Sequence, residues 1–64
     1  MANRNYPPTR RLSIQDAVQI WIRHWDGEHQ HRIAAAFNVN QGRISEILNC
    51  RLFAGSREIA ELLG

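Results

Sequence analysis

The sequence has a single cysteine, Cys50, and no lysine at all. A lone cysteine cannot close a disulfide within the chain, which excludes a small secreted fold held together by disulfides. No signal-like apolar run follows Met1 and no apolar stretch is long enough to span a bilayer, so we expect a soluble cytoplasmic protein without a membrane partner. A chain of 64 residues forms at most one small domain, whose core is marginal unless a partner or ligand stabilises it.

Groups that perform catalysis or bind metals are also scarce. The sequence shows no glycine-rich phosphate loop and no paired carboxylates, and Cys50 has no activating base near it in sequence. We therefore expect a buried structural cysteine and no enzyme. The His29-x-His31 pair does not match the spacing of zinc ligands, and its side chains should point in different directions from a helix. We predict no metal and no cofactor, and interpret both histidines as surface residues or phosphate contacts.

The basic charge consists entirely of arginine and is unevenly spread. Residues 1–11 carry three arginines and no acid, and residues 32–57 carry four arginines against a single glutamate. These seven side chains are Arg4, Arg10, Arg11, Arg32, Arg43, Arg51 and Arg57. A guanidinium fork matches phosphate oxygens and the edge of guanine, which favours a nucleic-acid partner. Genomic composition explains the choice of arginine over lysine equally well, so charge alone does not decide the function.

The first helix is predicted from its end signals and from one apolar face. Ser13, followed three residues later by Asp16, is typical of a capped helix start, and Gly27 is typical of a helix end. Between them, apolar residues recur at the spacing of one buried helical face: Ile14, Ala17, Val18, Trp21, Ile22 and Trp25. Ile20 lies off this face, so we expect it to be partly exposed or to contact another chain.

Three further short helices complete a domain over residues 12–64. A second helix is predicted over about residues 28–37 and a third over about 40–49, with Asn38 in the sharp turn between them because asparagine tolerates positive φ. Ser56 is expected to cap a last helix. The predicted inner faces of these helices comprise Ile33, Ala34, Phe37, Ile44, Ile47, Leu48, Ile59, Leu62 and Leu63. The predicted fold class is all-α, a small bundle of four helices containing a helix-turn-helix.

The stretch IAAAFNVNQGRISEIL, residues 33–48, carries a resemblance to a known family. Residues 30–49 resemble the helix-turn-helix of bacterial and phage repressor-type regulators, with Gln41, Ser45 and a Val39, Ile44 and Ile47 core as the best-matching positions. The family usually has glycine where Asn38 stands, and often has glycine where Cys50 follows the third helix.

The resemblance implies a sequence-specific double-stranded DNA-binding protein, a transcriptional regulator, whose third helix lies in the major groove. The positions expected to face the bases are Asn40, Gln41, Gly42, Arg43, Ser45, Glu46 and Asn49. Gln41 is the first choice, because a carboxamide can bond to N6 and N7 of adenine together. Arg43 either reads guanine or, as we prefer, contacts phosphate, and Glu46 either accepts from cytosine N4 or pairs with an arginine. Arg32, Arg51 and Arg57 are expected to contact phosphate.

The first eleven residues are predicted to form an extended arm, because Pro7 and Pro8 cannot lie inside a helix. Arg4, Arg10 and Arg11 around these prolines resemble arms that enter the minor groove beside a helix-turn-helix. A disordered solubilising tail is the alternative.

A recognition helix reads few base pairs, so a homodimer is expected, through Leu62 and Leu63 of the last helix or through Ile20 and Trp21 of the first. Such a protein would associate with the nucleoid. Two alternatives stay open: a protein-binding module or antiactivator of the same fold that holds another regulator, and an architectural protein indifferent to sequence.

Overall fold

The computed structural model describes residues 12–64, and the predicted arm of residues 1–11 lies outside the described residues. The described part contains four helices and no strand, namely α1 (Ile14–Trp25), α2 (Gln30–Phe37), α3 (Gln41–Leu48) and α4 (Ser56–Leu63). The prediction of an all-α bundle is confirmed, although α2 begins two residues later than expected. None of these four helices combines the length and the apolar character that crossing a membrane requires.

Local side-chain chemistry sets both ends of α1. The Ser13 hydroxyl accepts a hydrogen bond from the Asp16 backbone N–H at 3.2 Å, and the Asp16 carboxylate accepts from the Ser13 backbone N–H at 3.0 Å. These two bonds form the predicted capping box. At the other end Gly27 has φ of 94°, and the N–H groups of Gly27 and Glu28 bond back to the last turn of the helix. The predictions for Ser13, Asp16 and Gly27 are confirmed.

The core is built around α1, which contacts each of the other three helices. Because its neighbours lie on more than one side, the buried arc of α1 is wider than a single stripe. Ile20 is fully buried, so the expectation that it is exposed or meets another chain is wrong. Ile14 and Trp25, at the two ends of the helix, are 41% and 44% exposed, so their assignment to the buried face is also wrong.

The last helix packs on α1 through small residues. Ser56 and Ala60 are fully buried, and the Trp21 indole N–H donates a hydrogen bond to the Ser56 hydroxyl at 3.0 Å. The N-cap position belongs to Gly55, so the predicted capping role of Ser56 is wrong, because its side chain turns inward to the indole instead. The predicted inner face of α4 is wrong as well: Ile59, Leu62 and Leu63 are 39%, 87% and 69% exposed.

Candidate nucleic-acid interface

The connection between α2 and α3 spans three residues. Asn38 has φ of 58° and ψ of 46°, which is the left-handed conformation expected of it. The N–H groups of Asn38 and Val39 bond to the carbonyls of Ala35 and Ala34 at 3.2 and 3.0 Å, so the backbone of the turn is satisfied by the helix it leaves. The predicted role of Asn38 is confirmed, and the turn starts α3 immediately in a new direction.

Apolar side chains on both sides of the turn hold α2 against α3. Ile33, Ala34, Ile44 and Ile47 are buried, as predicted, and Phe37, Val39 and Leu48 are half-buried and pack against the same core. This packing buries the inner side of α3 and leaves its outer side exposed to solvent. We refer to the polar residues of that outer side as the α3 face; they are Gln41, Gly42, Arg43, Ser45, Glu46 and Asn49.

The first turn of α3 is fixed by Asn40. The Asn40 side-chain oxygen Oδ1 accepts a hydrogen bond from the Gly42 backbone N–H at 2.7 Å, which caps the helix. The Asn40 side chain is predicted to face the bases, but its oxygen already accepts the hydrogen bond that caps α3. The next residue differs: Gln41 is exposed, and its side chain makes no hydrogen bond within residues 12–64. Within residues 12–64, Gln41 therefore has its whole carboxamide free of hydrogen bonds, whereas the Asn40 oxygen already accepts one.

Two further contacts order the remainder of the α3 face. The Arg43 Nη1 atom lies 3.0 Å from Glu46 Oε1, an i,i+3 ion pair with both side chains partly exposed. Asn49 donates from Nδ2 to the Ser45 carbonyl at 2.8 Å and lies 3.4 Å from the Ser45 hydroxyl. The pairing of Glu46 with an arginine, one of the two predicted roles of this residue, is thus present.

The structure brings four of the predicted residues together around one open surface hollow. Its lining comprises Asn40, Gly42, Arg43 and Glu46. A Cβ at Gly42 would lie 3.2 Å from Asn40 Oδ1, so the absence of a side chain leaves the capping oxygen uncrowded and the hollow open. The hollow therefore presents a guanidinium and a carboxylate side by side.

The C-terminal end of α3 corrects the prediction for Cys50. The residue is exposed rather than buried, and its φ of 60° places it in the left-handed region. The N–H groups of Cys50 and Arg51 bond to the carbonyls of Ile47 and Glu46 at 3.0 and 2.9 Å. Cys50 therefore ends the helix with a left-handed backbone geometry that glycine adopts freely.

The predicted phosphate contacts divide into two groups. Arg32 in the first turn of α2 and Arg51 just after α3 are exposed, and neither makes an ion pair with another described residue. Arg57 lies on α4, which does not contact α3, and there it pairs with Glu61 at 3.4 Å and lies over the Trp21 ring. The structure thus does not bring Arg57 to the α3 face. The three arginines of the predicted arm lie outside the described residues.

Sequence reasoning missed an arginine that braces the helix-turn-helix. Arg23 donates from Nη1 to both carboxylate oxygens of Glu28 at 3.1 and 3.2 Å, and its guanidinium lies 5.6 Å from the centre of the Phe37 ring. These contacts tie the end of α1 to the connection before α2, through Glu28, and to the end of α2, through Phe37. Glu28 follows Arg23 by five residues across the turn at Gly27, so helical spacing alone gives no signal for this pair.

The two histidines at the start of α2, His29 at the N-cap and His31 in the first turn, are arranged differently from the expectation. Their rings are nearly parallel, with an interplanar angle of 11° and centroids 5.8 Å apart, so the prediction that His29 and His31 point in different directions is wrong. The reason is that His29 occupies the N-cap with extended backbone angles and is not a helical residue. No cluster of three or more candidate metal ligands occurs among residues 12–64.

The α3 face offers hydrogen-bond donors and acceptors on the exposed and half-exposed side of the helix. These groups are an unengaged carboxamide at Gln41, a guanidinium–carboxylate pair and the Ser45 hydroxyl. Comparison of the chain with protein-family models, with curated proteins and with solved structures finds no match. The function is therefore inferred from the geometry and chemistry of this face.

Proposed function

We propose that the protein binds double-stranded DNA at specific sequences and regulates transcription, with α3 lying in the major groove. The observation that carries this proposal is that the α3 face is open to solvent. The tight turn at Asn38 orients α3, and the carboxamide of Gln41 at its first turn makes no hydrogen bond within residues 12–64. An α-helix fits the width of the major groove, where the base edges present donor and acceptor patterns that polar side chains distinguish. A prokaryotic or phage regulator of this kind acts in the cytoplasm, at the nucleoid.

Gln41 is assigned to adenine in this proposal. Its amide oxygen accepts from adenine N6 while its amide nitrogen donates to N7, and no contact within residues 12–64 has to break first. Arg32 and Arg51 are assigned to phosphates, because both are exposed and carry a charge that no described carboxylate neutralises. These two arginines position α3 on the duplex without specifying sequence.

A homodimer is part of the proposal. One recognition helix reads only a few base pairs, so two copies related by a two-fold axis extend the site and match an inverted repeat. Ile20 and Trp21 are buried and leave no dimer surface on that part of α1. Leu62 and Leu63 on α4 are highly exposed and therefore provide the apolar surface for the second copy.

The test starts with selection of bound duplexes from a random pool, followed by fluorescence anisotropy on the selected site. Gln41→Ala should flatten sequence preference at one adenine position, by about ten- to hundredfold, because a bidentate base contact is worth about 1–3 kcal/mol. Arg51→Ala should weaken every sequence to a similar degree and lower the slope of affinity against salt by about one. An unchanged preference in Gln41→Ala would show that this residue does not read a base.

One alternative function has specific support. A module that holds another regulatory protein would use the exposed leucines of α4, and the carboxylate of Glu46 on the separate α3 face also suits a protein partner. A salt titration separates the two functions, because binding through several phosphates weakens steeply as salt rises. A complete lack of DNA affinity at low salt would favour the protein-binding module.

A further inference from the structure

Glu46 is the one acidic residue between residues 32 and 57, and it lies on the α3 face. A carboxylate brought to DNA is repelled by the phosphates, and for Glu46 the pairing with Arg43 together with a hydrogen bond from a base donor would offset that repulsion. In the major groove the exocyclic amino groups of cytosine and adenine are such donors. The position of Glu46 on this face, within the proposed function, therefore points to a base and not to the backbone.

Arg43 shares the hollow with Glu46, and their contact leaves most of the guanidinium available. The 3.0 Å bond to Glu46 uses Nη1, whereas a guanidinium carries five N–H donors in a fixed fork. Because Glu46 neutralises its charge, Arg43 is poorly suited to release counterions from phosphate, in contrast to the unpaired Arg32 and Arg51. Because the ion pair uses only Nη1, the remaining N–H donors of the fork are left for a bidentate contact.

We propose that Arg43 and Glu46 act as one unit that reads a single G·C base pair. Arg43 donates to O6 and N7 of the guanine, and Glu46 holds the guanidinium while accepting from N4 of the paired cytosine. Gly42 contributes by leaving the hollow between them and the Asn40 cap without a side chain. This inference rests on the proposed function and replaces the expectation that Arg43 contacts phosphate.

The experiment removes single acceptor atoms from the DNA. The selected duplex is compared with one in which 7-deazaguanine replaces the guanine of the G·C base pair that Arg43 and Glu46 are proposed to read. This replacement deletes N7 and leaves the phosphates unchanged. The wild-type chain of 64 residues should bind the modified duplex about tenfold more weakly than the unmodified one. Arg43→Ala should bind the two duplexes equally, and Glu46→Ala, which removes the acceptor for cytosine N4, should lose preference at this base pair only. Both variants should keep the preference for adenine that Gln41 provides.

Arg32→Ala is the matched control, since it removes an arginine that has no carboxylate partner. It should lower the salt slope by about one and leave the 7-deazaguanine effect intact. If Arg43→Ala behaves like Arg32→Ala, Arg43 contacts phosphate and the inference is overturned. If Arg43→Ala and Glu46→Ala both match the wild type, the pair is only a surface ion pair of α3, and the inference is overturned in that case too.

Failure of the wider proposal gives a different result. A wild-type chain that binds no duplex at low salt, or that binds all duplexes equally, would overturn both the proposed function and the G·C assignment. A selected site whose preference depends on Gln41 but not on Arg43 or Glu46 would overturn the G·C assignment alone. Circular dichroism of each variant checks that the helices are retained, which is expected because all these side chains are partly or fully exposed.

Discussion

At the residue scale, the hydrogen bond between Trp21 and Ser56 is the main polar contact inside the core. Both residues are buried, so neither the indole N–H nor the hydroxyl can turn to water for a partner. The bond joins residues 35 positions apart, from α1 to the first residue of α4. It therefore fixes where α4 sits on α1 as well as satisfying two polar groups.

Replacing Ser56 with alanine should destabilise the fold by about 1–3 kcal/mol, because the indole N–H of Trp21 is left buried without an acceptor. Urea unfolding followed by circular dichroism measures this loss. The control is the same substitution in a Trp21→Phe background, where no N–H remains to be satisfied. There Ser56→Ala should cost clearly less, and an equal cost in both backgrounds would contradict the role given to the hydrogen bond.

At the element scale, three helices end by the same backbone device with three different residues. Gly27, Asn38 and Cys50 all have positive φ, and in each case two successive N–H groups bond back into the last turn of the helix. Glycine adopts this conformation freely, asparagine tolerates it, and cysteine has no side-chain feature that favours it. The end of α3 is therefore held in a conformation that its own residue disfavours.

Cys50→Gly should accordingly stabilise the protein by roughly 1 kcal/mol, since glycine removes the clash of Cβ in the left-handed region. Urea unfolding again measures the change. Cys50→Ala serves as the control, because alanine keeps a Cβ and should leave stability nearly unchanged. Equal stability of the glycine and alanine variants would show that the backbone at Cys50 is not strained. Because Cys50 is exposed, neither the glycine nor the alanine variant loses core packing, so a change in stability reports on the backbone.

The start of α1 and the turn after α2 were predictable from sequence because their physics is local. Ser13 and Asp16 form a capping box three residues apart, and Asn38 needs only its own tolerance of positive φ. The packing of α4 was not predictable in the same way. Its apolar residues Ile59, Leu62 and Leu63 follow a helical stripe, yet the contact with α1 is made by Ser56 and Ala60, the small residues that allow close approach.

For the candidate site, too, some features follow from local sequence and others from three-dimensional packing. That the outer side of α3 is open followed from the periodicity of Ile44 and Ile47, both of which are buried. Asn40 caps α3 and Arg43 pairs with Glu46. Sequence spacing does not determine these contacts, because they depend on the conformations of the side chains. Sequence therefore identified the surface, and the structure distinguished Gln41 from Asn40 within it.

At the scale of the whole molecule, polar and apolar surfaces occupy different helices. The α3 face is polar, whereas α4, which does not contact α3, exposes Leu62 and Leu63. A groove between α1 and α4, lined in part by Val18, Ile59 and Leu63, continues this apolar surface. A symmetric pair formed through α4 would leave both α3 faces free for DNA, which is what a two-fold site requires.

Leu62→Ser tests this arrangement. In a two-fold interface the substitution occurs twice, and burial of two leucine side chains contributes roughly 3 kcal/mol or more, so the dimer dissociation constant should rise about hundredfold or more. Sedimentation equilibrium of the 7.4 kDa chain measures it directly. Arg51→Ala is the control, expected to weaken DNA binding while leaving the dimer intact. Selected DNA should consist of inverted repeats with half-sites about one helical turn apart. A wild-type chain that stays monomeric at tens of micromolar, or a Leu62→Ser chain that associates as the wild type does, would remove α4 as the dimer surface.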